Sequence, residues 1–180
     1  ALNGIASFIT SLGVERGFTE DGISQIFGII LVVTGLLGTY VGGKLSTRSI
    51  GDADAQDQAA AGAKLFRFLG ITTFLAVPFL AAAFTIEHRV LFLAAAAFAE
   101  FLIFAGTAPV NSIIVITAPK GLQGLTQGVT ITTLNLFGAF LGPLLVGKMA
   151  DLTTLPLGLQ LTTAALLFAA ISWFRGRKVN

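Results

Sequence analysis

Long apolar runs separated by short polar clusters organise this chain from end to end. After an apolar stretch from Leu2 to Leu12, five longer runs follow at about 22–43, 65–86, 90–117, 124–150 and 157–174. Each reaches the roughly 17 residues that a helix needs to cross a hydrocarbon core about 30 Å thick, whereas barrel strands are about ten residues long and alternate polar with apolar positions. The pattern predicts an all-α membrane protein of six segments, because helices satisfy their own backbone groups where no water is present. The chain opens on Ala1, and Leu2–Leu12 is too short to span and lacks the basic leader of a signal peptide. It is expected to begin inside a truncated first helix, with further sequence upstream.

The connections are short except at 46–63, where Gly51, Asp52, Asp54, Gln56, Asp57 and Gln58 interrupt the apolar pattern and predict a solvated loop. A cytoplasmic loop there puts Lys44, Arg48, Lys64, Arg67, Lys120, Arg175, Arg177 and Lys178 on one side, leaving Arg16, Arg89 and Lys148 opposite. Positive charge favours the cytoplasmic side, so the loop and the C-terminus are expected there and the first helix runs outward.

Small residues recur at helical spacing. Gly35, Gly38 and Gly42 share one face of the second run, and Gly128, Thr132, Asn135, Gly138 and Gly142 share one face of the fifth. Such faces let helix backbones approach, either as static packing or as surfaces that slide when a cavity opens. Pro78, Pro109 and Pro143 each remove a helical hydrogen bond and invite a kink.

Composition sharpens the membrane reading: 54% of residues are hydrophobic and 11% charged, against about 25% charged in an average soluble domain. The net charge of +2 leaves no basic face for nucleic acid. With no cysteine and one histidine, His88, and with no hydrolase or metalloprotease motif, neither an enzyme nor a metal or cofactor site is expected. Gly42, Gly43 and Lys44 follow a membrane helix instead of a strand and lack the spacing of a phosphate-binding loop.

Against this background Glu100 stands out as a lone carboxyl in the run from Val90 to Ala108. Ten residues of helix put it roughly 15 Å below Val90, about the middle of the bilayer. An ionisable group at that depth is costly and commonly marks a transport or proton pathway. Phe104, Thr107 and Asn111 follow at i+4, i+7 and i+11 and place a polar stripe on the same side of the helix. Glu100 could alternate between protonated and ionised states while Thr107 and Asn111 bind substrate; the static alternative is interhelical glue. Asn135 and Asn3 are further cavity candidates, and Gln127 and Thr130 are candidate gate residues near the cytoplasmic end. Glu15, Glu20, Asp21, Glu87, His88 and Arg89 read as rim charges at the outer helix ends.

Two groups of residues carry a family resemblance. Gly38, followed four residues later by Gly42, Gly43, Lys44, Leu45, Ser46, Thr47 and Arg48, resembles the degenerate cytoplasmic signature between helices eight and nine of major facilitator superfamily transporters. Gly42 stands where that signature commonly has an acidic residue. Glu100-Phe101-Leu102, Thr107 through Ser112, Ala118-Pro119 and Leu141 through Asp151 resemble the C-terminal half of spinster-like members. The resemblance covers essentially all 180 residues.

It implies a six-helix C-terminal half, helices seven to twelve of a twelve-helix transporter, whose partner is an N-terminal half. It also implies alternating access of a small organic or lipid-like solute in a bilayer, expected to be a bacterial inner membrane with the C-terminus in the cytoplasm. Gly38, Gly42, Gly43, Lys44 and Arg48 are then motif residues at the cytoplasmic gate. Spinster-like members often carry a His and an Asp in helix eleven, where this chain has Asn135 and Ala139. Proton coupling through Glu100 is one expectation and substrate orientation by Glu100 its rival. A non-transporting structural or receptor-like subunit is the alternative from another class.

Overall fold

A computed structural model describes residues 2–50 and 55–176, with the side chains among them other than those of 2–4, 7 and 55–59. The described residues are helical apart from short turns and include no strand. The helices are α1 (Leu2–Glu15), α2 (Glu20–Ile50), α3 (Ala55–Thr85), α4 (Arg89–Ala105), α5 (Thr107–Thr117), α6 (Gln123–Leu134), α7 (Gly142–Leu152) and α8 (Leu155–Gly176). A π-helical stretch, Asn135–Leu141, joins α6 to α7. Five spans are long and apolar enough to cross a membrane: Glu20–Ile50, Ala60–Thr85, Arg89–Thr117, Gln123–Leu152 and Leu155–Gly176. This is the architecture of an all-α membrane protein.

Segment 46–63 differs from the expected loop. α2 continues to Ile50 and α3 begins at Ala55, while 51–54 lie outside the described residues. The Ala-rich stretch from Ala59 to Ala63 favours helix whether or not lipid surrounds it, so hydropathy marks where the bilayer ends and not where the helix does. Within α2, the hydroxyls of Ser46 and Thr47 donate to the carbonyls of Gly42 (2.9 Å) and Gly43 (3.0 Å), satisfying polar side chains on their own helix. Arg177 and Lys178 also lie outside the described residues.

α3 packs between α4 and α8, α2 lies along α4, and α7 lies along α8. The main core gathers Ile9, Leu12, Ile23, Phe84, Phe92 and Leu159 where α1 ends and α2, α4 and α8 begin. A smaller cluster of Leu65, Leu69 and Ile113 forms towards the other end, flanked by Trp173. Because lipid is as apolar as these side chains, close van der Waals fit holds such clusters together more than exclusion of water does.

The helix ends at the α1–α2 turn are capped by side chains. Gly17 supplies the positive φ of 81° that the turn requires. The Thr19 hydroxyl accepts from the Gly22 amide at 3.2 Å, with Glu20 and Asp21 in the first turn of α2 facing the positive end of its dipole. Arg16 donates to the carbonyls of Ala83 (3.1 Å), Phe84 (2.9 Å) and Ile86 (2.7 Å), capping α3. Its guanidinium also lies 4.3 Å from the centre of the Phe92 ring. Burial lowers the proton affinity of Arg16, opposed by the charges of Glu15 and Glu87.

Prolines divide two of the spans. Pro109 offers no amide to Ala105, and the helix breaks just upstream at Gly106, whose amide bonds back to the Ile103 carbonyl at 3.0 Å in a tighter turn. Pro143 sits at the start of α7, directly after the π-helical turns. Pro78 leaves α3 unbroken.

Candidate functional site

Glu100 lies on α4 with 1% of its surface exposed, and neither carboxyl oxygen has a hydrogen-bond partner among the described residues. Thr34 of α2 is beside it, but the Thr34 hydroxyl donates to the Ile30 carbonyl of its own helix at 2.7 Å. Glu100 is therefore enclosed in the helix packing with the Thr34 hydroxyl beside it and no well-formed hydrogen bond among the described residues, a costly placement for a carboxyl group.

The expected polar stripe divides at Gly106. Phe104 turns to α2, with its Cβ 2.8 Å from where a Cβ on Gly38 would stand. Thr107 and Asn111, past the tight turn, face a cleft of about 420 Å³ between α3, α5, the π-helical stretch and α8. Overwinding at the turn changes the angular phase, so residues that share a face in an ideal helix do not share one here.

Asn135 and Gly138 line the same cleft from the opposite span, and Trp173 and Thr73 close it from α8 and α3. The structure thus brings Thr107, Asn111 and Asn135 to one cavity and leaves Glu100 outside its lining. Gln127 joins the group indirectly, its Nε2 donating to Asn111 Oδ1 at 2.9 Å. Gln127 Oε1 is buried without a partner among the described residues. The Thr130 hydroxyl is used on its own helix, donating to the Thr126 carbonyl at 2.8 Å. Asn3 falls within α1, but its side chain lies outside the described residues.

The glycines of the cytoplasmic signature serve helix contact. A Cβ at Gly38 would stand 2.7 Å from the Phe101 carbonyl oxygen, and one at Gly42 would collide with the carbonyl of Ala105. Gly43 is looser, 3.9 Å from the Ala108 Cβ, and Lys44 and Arg48 are exposed. Among the described residues no group of His, Cys, Asp and Glu could hold a metal ion.

Sequence reasoning missed Thr73, Trp173 and Arg16. Trp173, the chain's one tryptophan, carried only the general signal of an aromatic near a helix end. Arg16 was read with the opposite-side charges, yet its guanidinium spans the gap to α3.

The arrangement is that of a multi-pass helical membrane domain with an uncharged polar cleft. Over most of its length it is similar to three proteins of Arabidopsis thaliana. It is 32% identical over 162 residues to probable sphingolipid transporter spinster homolog 3, a match of 87% of this chain and 29% of that protein. It is 30% identical over 154 residues to the probable sphingolipid transporter spinster homolog 2, matching 84% of this chain and 30% of that one. For homolog 1 the identity is 30% over 172 residues, 93% of this chain and 33% of the relative. The chain spans about a third of the length of these curated relatives. No family profile and no solved structure matches it.

Proposed function

We propose that this chain is the C-terminal half, helices seven to twelve, of a spinster-like secondary transporter of the major facilitator superfamily. It moves a lipid-like solute by alternating access against an N-terminal six-helix half. The observation that carries this reading is the cleft in which Thr107, Asn111 and Asn135 from two different spans meet among apolar walls. Polar side chains converging at membrane depth suit a ligand that is largely apolar with a few groups to recognise. The similarity to proteins named as probable sphingolipid transporters supports the solute class.

In this reading α2 and the Gln123–Leu152 span meet the absent half, since both carry rows of exposed apolar side chains, Ile29, Val32 and Leu36 on the first and Phe137, Phe140 and Leu144 on the second. Lys44, Arg48 and the 46–63 connection face the cytoplasm with the C-terminus, in a bacterial inner membrane, and Gly38, Gly42, Gln127 and Thr130 lie along the helices that move at the cytoplasmic gate. Glu100 acts apart from the solute, exchanging a proton when the α2–α4 packing opens to water.

The test is uptake by the intact protein in proteoliposomes under an imposed pH gradient, with sphingoid bases, lysophospholipids and small metabolites as solutes. Uptake of a lipid-like solute that loses its pH dependence in Glu100→Gln supports both parts. Retained pH-driven uptake in that variant removes Glu100 from coupling, and no uptake of any solute favours the non-transporting subunit.

A further inference from the structure

The chemistry of the cleft is narrower than its size requires. None of the side chains that line it is ionisable, and Glu100 lies outside the lining. A charged headgroup placed here would lose its hydration and meet no counter-charge among the described residues that line the cleft, a large cost in a low-dielectric site. The polar side-chain groups present are two carboxamides, Asn111 and Asn135, two hydroxyls, Thr73 and Thr107, and the indole N–H of Trp173, against walls that include Leu69 and Leu166.

Asn111 is held in one role. Its Oδ1 accepts from Gln127 Nε2 at 2.9 Å, the only hydrogen bond between two side chains among the described residues, which leaves its amide hydrogens as the free group. Beside it, the Asn135 carboxamide and the Thr73 and Thr107 hydroxyls can both donate and accept, so the lining together complements a ligand that carries an acceptor and a donor, such as an amide or a carbonyl beside a hydroxyl. Asn111 also sits six residues before the end of α5 at Thr117, roughly 9 Å along the axis. That is within reach of a lipid's linkage region while its chains lie among the apolar walls.

Resting on the transport reading above, we propose that this cleft binds the uncharged amide-and-hydroxyl portion of a long-chain lipid. Asn111, Asn135 and Thr107 contact that portion, and Gln127 is a positioning residue that fixes the orientation of Asn111. The charged end of a solute, where it has one, binds elsewhere.

Trp173 lines the cleft and reports its occupancy. Three probes with the same chain, the ethanolamide and the ethyl ester of 11-bromoundecanoic acid and the free carboxylate at pH 8, are titrated against the intact protein in detergent. Bromine quenches the indole, and the signal assigned to the cleft is the part lost in Trp173→Phe. The ethanolamide is expected to half-saturate at a concentration about fivefold below the ester, the size of one net hydrogen bond, and the carboxylate to bind weakest.

Asn111→Leu should weaken the amide strongly and the ester less, because the amide carbonyl is the stronger acceptor, and bring the two within twofold. Gln127→Leu should do the same to a smaller degree, with the unfolding midpoint of each variant as in the wild type, which a merely structural defect would shift. Equal binding of amide and ester by the wild type, tightest binding of the carboxylate, or quenching that is undiminished in Trp173→Phe overturns the proposal, and none of these needs the Asn111 or Gln127 variant to fold. Uptake of these probes without Trp173-dependent quenching overturns this inference and leaves transport standing. Quenching with the amide preference, but no uptake of any lipid, supports the cleft and overturns transport.

Discussion

Two spans of this molecule carry small residues at the same helical spacing and use them in opposite ways. In α2, Gly38 and Gly42 bring the backbone against Phe101, Ala105 and Pro109, so closely that a single methyl group does not fit. In the Gln123–Leu152 span, a Cβ at Gly124, Gly128 or Gly138 would meet nothing within 4 Å. Val146 is the one residue recorded as buried along that whole span. Spacing allows close approach but does not name a partner, and without one a glycine face contributes no packing energy.

The largest effect that separates the two spans is expected at Gly42. Pro109 has no amide for the Ala105 carbonyl, and that carbonyl turns against Gly42 instead. Gly42→Leu must drive α2 away from α4 or distort the break at Gly106. It should cost about 3 kcal/mol, as overpacking in a tight contact does, read as a lowered unfolding midpoint in mixed micelles. Gly43→Leu, one residue on and facing open space beyond Ala108, is the matched control and should cost less than about 1 kcal/mol. Equal losses in the two variants would show that the α2–α4 contact does not discriminate between neighbouring positions.

How much of this could be read in advance divides along the same line. The helices were legible because every span carries an apolar run of sufficient length, and five were found where expected. Their ends were not: α2 and α3 extend past Lys44 and before Lys64 through sequence that hydropathy reads as loop. The disturbance at Pro109 was legible as a missing amide, but its displacement to Gly106 and the resulting change of phase depend on how the turn tightens. Burial of Glu100 followed from its surroundings in the sequence, whereas its separation from Thr107 and Asn111 did not. Asn111 and Asn135 could each be picked out as polar residues in apolar runs. That they share a cleft with Trp173 is a property of how α5, α8 and the π-helical stretch are placed, which no single run encodes.

Arg16 tests the packed side of the comparison from its other end. It ties the α1–α2 turn to the carbonyls that end α3, and its own carbonyl accepts from Arg89 Nε at 2.8 Å. Arg16→Ala should cost about 2 kcal/mol, the scale for charge-assisted hydrogen bonds lost at a partly buried site. Arg16→Lys should recover less than half of that, because an ammonium cannot present a planar fork to several carbonyls and also stack on Phe92. Full recovery by lysine would reduce the role of Arg16 to its charge. The same unfolding measurement decides it, and neither variant touches the Gln123–Leu152 span.

The smallest effect is expected at Gly128, and it is the most discriminating. Gly128→Leu adds a side chain into open space and replaces a poor helix former by a good one, so in the isolated 180-residue chain it should be neutral or stabilising by up to about 1 kcal/mol. In the intact protein an N-terminal half lying on this span would turn the same substitution into an overpacked contact, costing about 1–3 kcal/mol. The difference between the two backgrounds therefore measures whether the bare glycine face is covered. A loss already present in the isolated chain would mean that Gly128 contacts its own domain and that the two spans are alike. Neutrality in both would leave the face to lipid, and the contrast with α2 would then be one between a packed helix and a lipid-facing one.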